Sequence, residues 1–348
     1  MKHKVTIQDI ADALGMSRNT VSKAINNSDG LATATRERIL QKAVEMGYKQ
    51  FSYASAFSSL SASTIHAAPA ESGFAGEIAL FTTSFLSHSH FASLMLDKFQ
   101  QEISQLGYTM NTHRIDAGNL AELTLPITFR KERTSAILCI EMFDRTYDEM
   151  VCDLGLPVLF VDGPANCSGD TLPADQLYMD NTAGITMLVN DMLKKGKKRI
   201  GFIGNYEHCQ SFFERYMAFR CAMLLAGVPV DETYCIKYNY KEDIAEQLRT
   251  VTDLPDLFIC ANDFVAVDAM QALRESGIAI PEDVRICGFD DSAESRIISP
   301  PLTTVHIHTQ IMAYSAVHLL MSRIKEPSLD YRTIYTETDL IYRQSTEF

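Results

Sequence analysis

Several features are scarce or missing in this 348-residue sequence, and each excludes a class of protein. No run of about 18 apolar residues occurs, so the sequence contains no candidate transmembrane helix. The N-terminal residues alternate polar and apolar side chains and lack the apolar segment of a signal peptide, which predicts a cytoplasmic protein. The eight cysteines are scattered without a Cys-x-x-Cys pair, so we expect buried free thiols in a reducing compartment.

Motifs of the common enzyme classes are also missing. The sequence has no Gly-rich phosphate loop, no nucleophile elbow and no cluster with metal-ligand spacing. Asp290 and Asp291 are adjacent carboxylates, but neighbouring side chains point apart on most backbones. His88 and His90 have no carboxylate or Cys partner nearby in the sequence, so we interpret them as structural or ligand-lining residues. We therefore expect a protein that is not an enzyme and that uses no metal ion and no cofactor.

Basic residues are outnumbered in the whole chain but not near its start. The net charge is −13 over all residues. Residues 1–52 carry eight Lys or Arg and five Asp or Glu, which gives +3, so the remaining residues carry −16. A basic head on an acidic body favours a tethered DNA-binding module over a protein that binds DNA along its whole surface. The length predicts two or three folding units.

The basic segment contains a first short amphipathic helix that ends in a tight turn. Thr6 is the candidate N-cap, and Asp9 three residues later forms a variant of the capping box. Gly15 supplies the turn, because glycine adopts left-handed backbone angles without strain. The apolar face of this helix is predicted from its spacing to consist of Ile10, Ala13 and Leu14.

A second helix follows, with Ser17 as its candidate N-cap. Its predicted apolar face consists of Val21, Ala24 and Ile25. Arg18, Asn19 and Lys23 point outward, and Arg and Asn can bind guanine and adenine through paired hydrogen bonds. Hydroxyl side chains suited to phosphate contacts are Ser17, Thr20 and Ser22. The two helices have the helix-turn-helix pattern of DNA-binding proteins, and the base-reading residue types favour this over a solvated helix pair without a ligand.

Residues 5–49 resemble the headpiece of the LacI/GalR (lactose-repressor) family of transcription regulators. The matching segments are residues 5–11, 17, 20–22, 26, 35–39 and 46–48. The resemblance implies that Arg18, Asn19 and Lys23 read bases and that Thr6 and Asn26 also lie at the DNA interface. It further implies a homodimer whose two heads bind a near-palindromic operator.

Residues 51–76 have the composition of a hinge or linker. Fourteen of the 25 residues in 52–76 are Ser or Ala, and only Glu71 is charged. In the family this region begins with a helix that inserts an apolar side chain into the minor groove. Tyr53 and Phe57 have helical spacing, and Phe57 occupies the inserting position. The usual basic residues after the hinge are missing, so a DNA-inserted helix and a plain flexible tether both remain open.

From residue 77 onward, short apolar strands alternate with amphipathic helices. The predicted strands are 77–82, 108–115, 135–140 and 157–161, and then 199–204, 234–238, 256–260 and 284–289. Such alternation predicts parallel sheets with helices on both faces. The predicted fold class is an N-terminal all-α helix-turn-helix headpiece followed by an α/β periplasmic-binding-protein-like effector domain, which contains two doubly wound parallel-sheet subdomains.

We predict domain boundaries from these patterns. The headpiece covers residues 1–50, the linker covers 51–76, and the effector-binding and dimerisation domain covers 77–348. The first subdomain comprises about 77–174 and 306–331. The second comprises about 175–305 and 332–348.

Polar side chains follow several predicted strands, at the edge where parallel sheets bind ligands. The resemblance implies effector contacts for Asp162, Arg215, Asn262 and Asp290, and Phe91 is the aromatic that packs on a sugar ring. Carboxylates and amides hydrogen-bond to hydroxyls, and Arg can clamp two oxygens. Acidic residues after strands also cap helices, and for Asp263 we prefer that interpretation.

The sequence as a whole predicts an allosteric transcriptional regulator of the repressor type. Its partners are double-stranded operator DNA, a small carbohydrate effector in the cleft and a second copy of the chain, with no membrane. Induction and co-repression both fit the sequence. The alternative is a soluble sugar-binding or sugar-transforming protein whose helical head is an interaction module.

Overall fold

The chain divides into two compact units, Met1–Gly73 and Phe74–Phe348. The computed structural model describes residues 5–25, 32, 35, 38, 39, 42, 43, 46, 74–83, 90–166, 169, 171–239, 242–251 and 253–347. The predicted DNA contacts Asn26, Tyr53 and Phe57 lie outside the described residues, as does His88. The predictions for these four residues therefore remain predictions.

The first described helices are α1 (Ile7–Leu14) and α2 (Arg18–Ile25), which belong to the N-terminal unit. The capping box at the start of α1 is confirmed. The hydroxyl of Thr6 accepts a hydrogen bond from the backbone N–H of Asp9, and the Asp9 carboxylate accepts one from the Thr6 N–H at 2.7 Å. Gly15 ends α1 with φ 63°, in the left-handed region, which confirms the predicted turn.

The N-cap of α2 is also as predicted, since Ser17 Oγ accepts a hydrogen bond from the Thr20 N–H at 3.1 Å. Ala13, however, is exposed, and the prediction that it faces the core is wrong. The reason is that the inward arc of α1 runs through residues 10, 11 and 14, which leaves residue 13 outside it. The buried core of this unit consists of Ile10, Ala11, Val21, Ala24, Ile39 and Ala43.

The second unit begins with a six-stranded sheet in which all neighbours run parallel. Its strands are β1 (Gly76–Thr82), β2 (Tyr108–Arg114), β3 (Thr134–Ile140), β4 (Val158–Val161), β5 (Asp175–Met179) and β11 (Thr333–Thr336). Their order across the sheet is β11-β5-β4-β3-β1-β2. β1 and β3 are almost continuously apolar and buried, as expected for central strands that are covered on both faces.

Helices cover both faces of this sheet. They are α3 (His90–Gln105), α4 (Ala117–Glu122), α5 (Arg145–Cys152) and α11 (Thr309–Lys325). α3 and α11 pack together and share one hydrophobic cluster with the sheet, whereas α5 contributes Tyr147 and Val151 to the cluster on the opposite face. Among the described helices, none combines the length and apolarity needed to span a membrane.

A second sheet has four strands, again all parallel, in the order β7-β6-β8-β9. The strands are β6 (Ile200–Ile203), β7 (Cys235–Ile236), β8 (Leu257–Cys260) and β9 (Arg285–Cys287). The helices are α6 (Ala183–Lys194), α7 (Gln210–Leu225), α8 (Ile244–Arg249), α9 (Asp263–Glu275) and α10 (Ala293–Ile297). The predicted class of two doubly wound parallel sheets is confirmed.

A two-stranded antiparallel pair, β10 (Thr304–Ile307) and β12 (Thr338–Ile341), lies along the path of the chain between the sheets. The predicted second subdomain includes residues 175–179 and 333–336, and strand pairing corrects this. These segments are β5 and β11, which pair with each other, and β5 also pairs with β4 of the first sheet. β11 is the edge strand and β5 is the strand next to it, and both are short with interspersed polar residues, so they lack the apolar runs of the central strands.

The cysteines of the described residues are all free thiols, as predicted. Four of them are buried in the second unit, namely Cys139, Cys209, Cys260 and Cys287. Cys221 on α7 is exposed and departs from the expectation of burial.

A buried ion cluster fixes β11 and the end of α11 to β5. Arg323 donates from Nε and Nη2 to the two carboxylate oxygens of Asp175, each at 3.0 Å. Arg332 adds a backbone N–H at 2.8 Å and Nη2 at 3.1 Å. Burial alone would raise the pKa of Asp175, but the hydrogen bonds from Arg323 and Arg332 lower it.

Replacing Asp175 should therefore be costly. We expect Asp175→Asn to lower the free energy of unfolding in urea at pH 7 by about 3 kcal/mol, because it leaves two arginines without their carboxylate. Since the folded pKa lies below the unfolded one, this contribution is present above pH about 4 and is lost as the pH falls through the folded pKa.

The matched control is Asp253→Asn, which removes an ion pair with Arg199 at 2.6 Å. The Asp253 side chain is 77% exposed, so its loss should change stability by less than about 0.5 kcal/mol. Equal losses in the two variants would contradict a special role for the buried cluster.

Candidate functional site

A cavity of about 270 Å³ lies at the carboxyl ends of strands from both sheets of the second unit. Parallel sheets bind ligands at this edge, because helix N-termini and loop side chains converge there. All of the predicted effector-contacting residues line the cavity: Phe91, Asp162, Arg215, Asn262 and Asp290. Residues that line it without having been predicted include Thr83, Glu141, Phe143, His208, Cys209, Ser211 and Phe212.

Three acidic residues of the lining have left-handed backbone angles. φ is 56° at Glu141, 59° at Asp162 and 115° at Asp290. For residues other than glycine, these backbone angles cost about 1–3 kcal/mol each. Backbone bonds hold two of them in place, since the N–H of Asp162 donates to Leu177 at 3.1 Å and that of Asp290 donates to Val305 at 2.8 Å. The strain is therefore concentrated at the ligand edge of the sheets.

Arg215 on α7 is the basic residue of the lining and is 2% exposed. Nε donates to Asn181 Oδ1 at 2.9 Å, and Nη1 donates to the carbonyl of Ala261 at 2.6 Å. The guanidinium also stacks on Phe289, with Cζ 3.5 Å from the ring centroid, and Nη1 lies 3.9 Å from Asp290 Oδ1. Among the described residues Nη2 has no hydrogen-bond partner, so it can donate to a ligand.

Asp290 and Asp291 have opposite environments, although they are adjacent. Burial raises the pKa of Asp290 to about 8 despite the nearby guanidinium. Asp291 is also buried, but hydrogen bonds from His306, Arg296 and Arg343 hold its pKa well below its usual range. Asp290 lines the cavity and Asp291 does not, which confirms that the two side chains point apart.

Asp162 connects the end of β4 to the start of α7. Its Oδ1 accepts hydrogen bonds from the Gly163 N–H at 2.9 Å and from the Ser211 N–H at 3.1 Å. Burial raises its pKa even though these bonds and the charge of Arg215 act in the opposite direction. The carboxyl is thus partly used within the protein and partly available to the cavity.

The residue that caps α9 is Asn262, not Asp263 as predicted. Asn262 has an extended backbone, and its Oδ1 accepts the Val265 N–H at 3.0 Å. The helix therefore begins one residue earlier than expected, and Asp263 is already inside it. Asp263 instead accepts hydrogen bonds from Thr304 Oγ1 at 2.6 Å and from the Ser292 N–H at 2.8 Å.

Aromatic side chains form much of the remaining wall. Phe143 meets His208 edge to face at 4.7 Å between ring centroids, and His208 lies 5.7 Å from Phe212. They follow β3 or lie around the start of α7, where no periodic pattern marks them. Within the part of the chain that the structure describes, no group of three or more His, Cys, Asp or Glu side chains could hold a metal ion.

Asn181 was also missed from the sequence, although it is fully buried. It lies between β5 and α6, where the chain passes from the first sheet to the second. Besides accepting from Arg215, it donates from Nδ2 to Glu214 Oε2 at 2.7 Å, and Tyr335 donates to Glu214 Oε1 at 2.8 Å. Only the folded structure brings these residues together, because β11 and α7 are far apart in the sequence.

The predicted DNA-reading residues of the N-terminal unit share an exposed surface. Arg18 and Asn19 lie in the first turn of α2 and Lys23 in its last turn, and all three are exposed. The Ser17 hydroxyl caps α2 by accepting the Thr20 backbone N–H, and it is also hydrogen-bonded to the Thr20 hydroxyl at 2.8 Å. Thr6 is likewise exposed, but its hydroxyl is part of the capping box.

The raised pKa of Asp290 should appear in the pH dependence of stability. A folded pKa above the unfolded one contributes stability that is present below about pH 4 and is lost as the pH rises through about 8. We expect Asp290→Asn to remove this loss. The free energy of unfolding of the variant in urea, relative to that of the parent protein, should then rise by up to about 1.4 kcal/mol per pH unit between pH 5 and 8.

Asp291→Asn serves as the opposite control for this experiment. The lowered pKa of Asp291 contributes stability above the unfolded pKa, and acidification removes that contribution. The deficit of this variant should therefore shrink toward low pH. Stability curves of Asp290→Asn and the parent that run parallel from pH 5 to 9 would contradict the burial of Asp290.

Two family models match the chain. The model for bacterial regulatory proteins of the lacI family matches residues 6–50, and the model for a periplasmic binding protein-like domain matches residues 189–346. Among relatives, the transcriptional repressor PurR of Pasteurella multocida is 28% identical over 98% of both chains. The transcriptional regulator CelR of Thermobifida fusca is 26% identical over 99% of both chains.

Solved structures of such regulators share the fold. The complex of the transcriptional regulator CelR with cellobiose superposes with a TM-score of 0.67 at 24% identity, over 98% of this chain and 99% of that one. The lac repressor dimer bound to operator and the anti-inducer ONPF gives 0.65 at 19% identity, over 99% of each chain. The resemblance predicted from residues 5–49 is confirmed, because the chain combines a DNA-binding domain of the lacI family of bacterial regulatory proteins with a periplasmic binding protein-like domain.

Proposed function

We propose that this protein is a homodimeric transcriptional repressor that binds a near-palindromic operator in the cytoplasm. A small carbohydrate bound in the cavity changes its operator affinity. The observation that carries the proposal is the convergence of the predicted effector residues on one cavity in a chain that also has a lacI-family headpiece. Two structural relatives support it, one solved with cellobiose and the other as a dimer on operator DNA.

The DNA-binding half of the proposal rests on α2. Its exposed surface presents a guanidinium, an amide and an ammonium, whereas Val21 and Ala24 on its other side are buried. Arg18 and Asn19 can form paired hydrogen bonds with base edges in the major groove, and Lys23 adds phosphate or base contacts a turn later. Two heads related by a dimer axis would bind two half-sites.

The effector half rests on the chemistry of the cavity. Its amide and carboxyl groups can bond to sugar hydroxyls, Nη2 of Arg215 can donate to one, and Phe91 can pack against a ring. The lining comes from strand ends of both sheets, so a bound ligand favours one arrangement of the sheets. A ligand controls operator affinity only if it binds the DNA-competent and DNA-incompetent arrangements with different affinities.

Arg18 should determine base preference. We expect Arg18→Ala to weaken binding to the operator by about 1–3 kcal/mol, because a paired hydrogen bond to guanine is lost. Binding to scrambled DNA should change much less. The measurement is a gel shift against the DNA upstream of the protein's own gene, with a scrambled duplex of equal length.

Arg18→Lys is the matched control, because it keeps the charge but loses the planar fork of the guanidinium. It should retain binding to scrambled DNA and lose operator preference. Equal losses of Arg18→Ala on both duplexes would instead make Arg18 a phosphate contact, and a parent protein that binds neither duplex would overturn the DNA-binding proposal.

Arg215 should be required for the effector response but not for operator binding. We expect Arg215→Ala to remove the change in operator affinity caused by any sugar that acts on the parent protein, since the main cationic donor of the cavity is lost. Thermal shift with a panel of monosaccharides and cellobiose identifies such a sugar, because a ligand at 100 times its dissociation constant adds about 2.7 kcal/mol of stability.

Arg220→Ala on the same helix is the control. Arg220 pairs with Glu232 at 2.6 Å and does not line the cavity, so this variant should respond like the parent. Circular dichroism of both variants checks the fold. An effector response that persists in folded Arg215→Ala would remove Arg215 from the effector site.

A further inference from the structure

Arg215 lies at one end of a chain of side-chain hydrogen bonds that leads away from the cavity. Its Nε donates to Asn181 Oδ1 at 2.9 Å, and Asn181 Nδ2 donates to Glu214 Oε2 at 2.7 Å. The Tyr335 hydroxyl donates to the other carboxylate oxygen of Glu214, Oε1, at 2.8 Å. Of the described residues that line the cavity, only Arg215 belongs to this chain of bonds. We call the other three residues, Asn181, Glu214 and Tyr335, the relay.

The orientation of the Asn181 amide is fixed by its two partners. A guanidinium only donates and a carboxylate only accepts, so the amide oxygen must face Arg215 and the amide nitrogen must face Glu214. Asn181 is fully buried, so a shift of Arg215 alone leaves buried polar groups unpaired, which costs free energy. We therefore expect Arg215, Asn181 and Glu214 to move together.

Glu214 is the point at which the relay reaches β11. The Tyr335 ring stacks on Tyr178 of β5, with 5.4 Å between ring centroids and 28° between ring planes, so the first sheet fixes the ring. Its hydroxyl contacts Glu214 on α7, the helix whose Phe219 stacks on Phe202 of β6 in the second sheet. A hydrogen bond to a carboxylate is stronger than one between neutral groups. The Tyr335–Glu214 bond thus ties the first sheet to a helix of the second.

The relay lies where two of the segments that connect the sheets run side by side. The backbone N–H of Asp180, next to Asn181, donates to the carbonyl of Thr336, next to Tyr335, at 2.8 Å. Thr338 is the first residue of β12, and its hydroxyl donates to the Asp180 carbonyl at 2.8 Å. A displacement at Asn181 is therefore passed on to the segment between β11 and β12.

We propose that Tyr335 transmits effector binding from Arg215 to β11 without contacting the effector. This rests on the proposed function, because it names how the effector site of that function controls the rest of the chain. When a ligand displaces Arg215, Asn181 and Glu214 follow, and the Tyr335 hydroxyl passes the shift to the segment between β11 and β12.

Effector binding and transmission are separable in this arrangement. Besides Asn181, Arg215 contacts the Ala261 carbonyl and the Phe289 ring, and both contacts remain when the Tyr335 hydroxyl is removed. Loss of the hydroxyl should therefore leave the cavity able to bind, whereas a shift of Glu214 no longer displaces β11. If Tyr335 had only a structural role, its loss would lower stability and leave the effector response intact.

Tyr335→Phe tests the proposal, because it removes only the hydroxyl and keeps the ring on Tyr178. The probe is the sugar that changes operator affinity most in the panel of monosaccharides and cellobiose. Its dissociation constant for the full chain, measured by calorimetry without DNA, should change less than about twofold, because Tyr335 does not contact the sugar. The sugar-induced change in operator affinity, measured by gel shift, should fall about fivefold, the factor that one typical hydrogen bond contributes. By reciprocity, the effect of operator DNA on sugar affinity should fall by the same factor.

Tyr342→Phe is the matched control. Tyr342 is 48% exposed and Tyr335 is 51% exposed, and the Tyr342 hydroxyl donates to Asp191 of α6 at 2.7 Å. The control therefore also loses one bond from an exposed tyrosine to a carboxylate, and it should respond to the sugar like the parent protein. A loss of response equal to that of Tyr335→Phe would overturn the special role of Tyr335.

Glu214→Gln tests whether Tyr335 acts through Glu214. Glutamine carries one acceptor oxygen in place of two, so one link of the relay is lost. The sugar-induced change in operator affinity should fall at least about fivefold, and adding Tyr335→Phe should lower it no further, because both substitutions break the same chain of bonds. Losses that multiply in the double variant would overturn the relay. Circular dichroism of every variant checks the fold.

The outcomes separate this inference from the proposed function. If the parent protein responds to a sugar and Tyr335→Phe responds equally, the repressor proposal stands and the relay is overturned. If no sugar of the panel changes the operator affinity of the parent protein, the effector half of the proposed function fails and the relay fails with it. The gel shift without sugar decides operator binding separately.

Discussion

The candidate effector site depends on how Arg215 is held. One buried guanidinium contacts Asn181 between the sheets, the carbonyl of Ala261 after β8, and Phe289 beyond β9. Each contact comes from a different segment, so the fold must be nearly complete before the arginine is correctly placed. Because these contacts already fix the charged, planar guanidinium, little further side-chain entropy is lost when Arg215 binds a ligand in the cavity. The other polar groups of the cavity are arranged around this fixed charge.

The neighbouring carboxyls show how the environment, and not the residue type, determines what a site can do. Asp290 is buried, accepts no hydrogen bond from the residues that the structure describes, and has a pKa raised to about 8, whereas the adjacent Asp291 has three cationic or imidazole partners and a lowered pKa. Asp291 stabilises the fold, whereas burial of Asp290 costs stability. Such costs are typical of binding sites. The left-handed backbone angles of Glu141, Asp162 and Asp290 add to the same cost.

Local features of this fold could be predicted from the sequence, and features that depend on distant contacts could not. Thr6, Asp9 and Gly15 act within one helix, and their roles were predicted correctly. The ends of apolar strands placed Asp162 and Asp290 at the correct edge, although the LacI resemblance was needed to give Arg215 a role. The predictions that Ala13 is buried and that Asp263 caps a helix were each wrong by about one residue, because burial and the first residue of a helix depend on packing. The edge strand β11 and its neighbour β5 lack a clear sequence pattern, and none marks Asn181 or Glu141.

These contacts also indicate how occupancy of the cavity could reach the rest of the chain. Asn181 lies where the chain leaves the first sheet, and Glu214 joins it to Tyr335 on β11, near the segment that leads into β12. Hydrogen bonds link Arg215 through Asn181 and Glu214 to Tyr335. A ligand that moves Arg215 therefore acts on two of the segments that connect the sheets, the one at Asn181 and the one that follows β11. The hydrogen bonds of a buried network rearrange together, because breaking only some of them leaves buried polar groups without partners, which costs free energy. Two discrete arrangements of the sheets follow more naturally from such a network than a continuous range, and a regulator that responds to its effector needs two states of this kind.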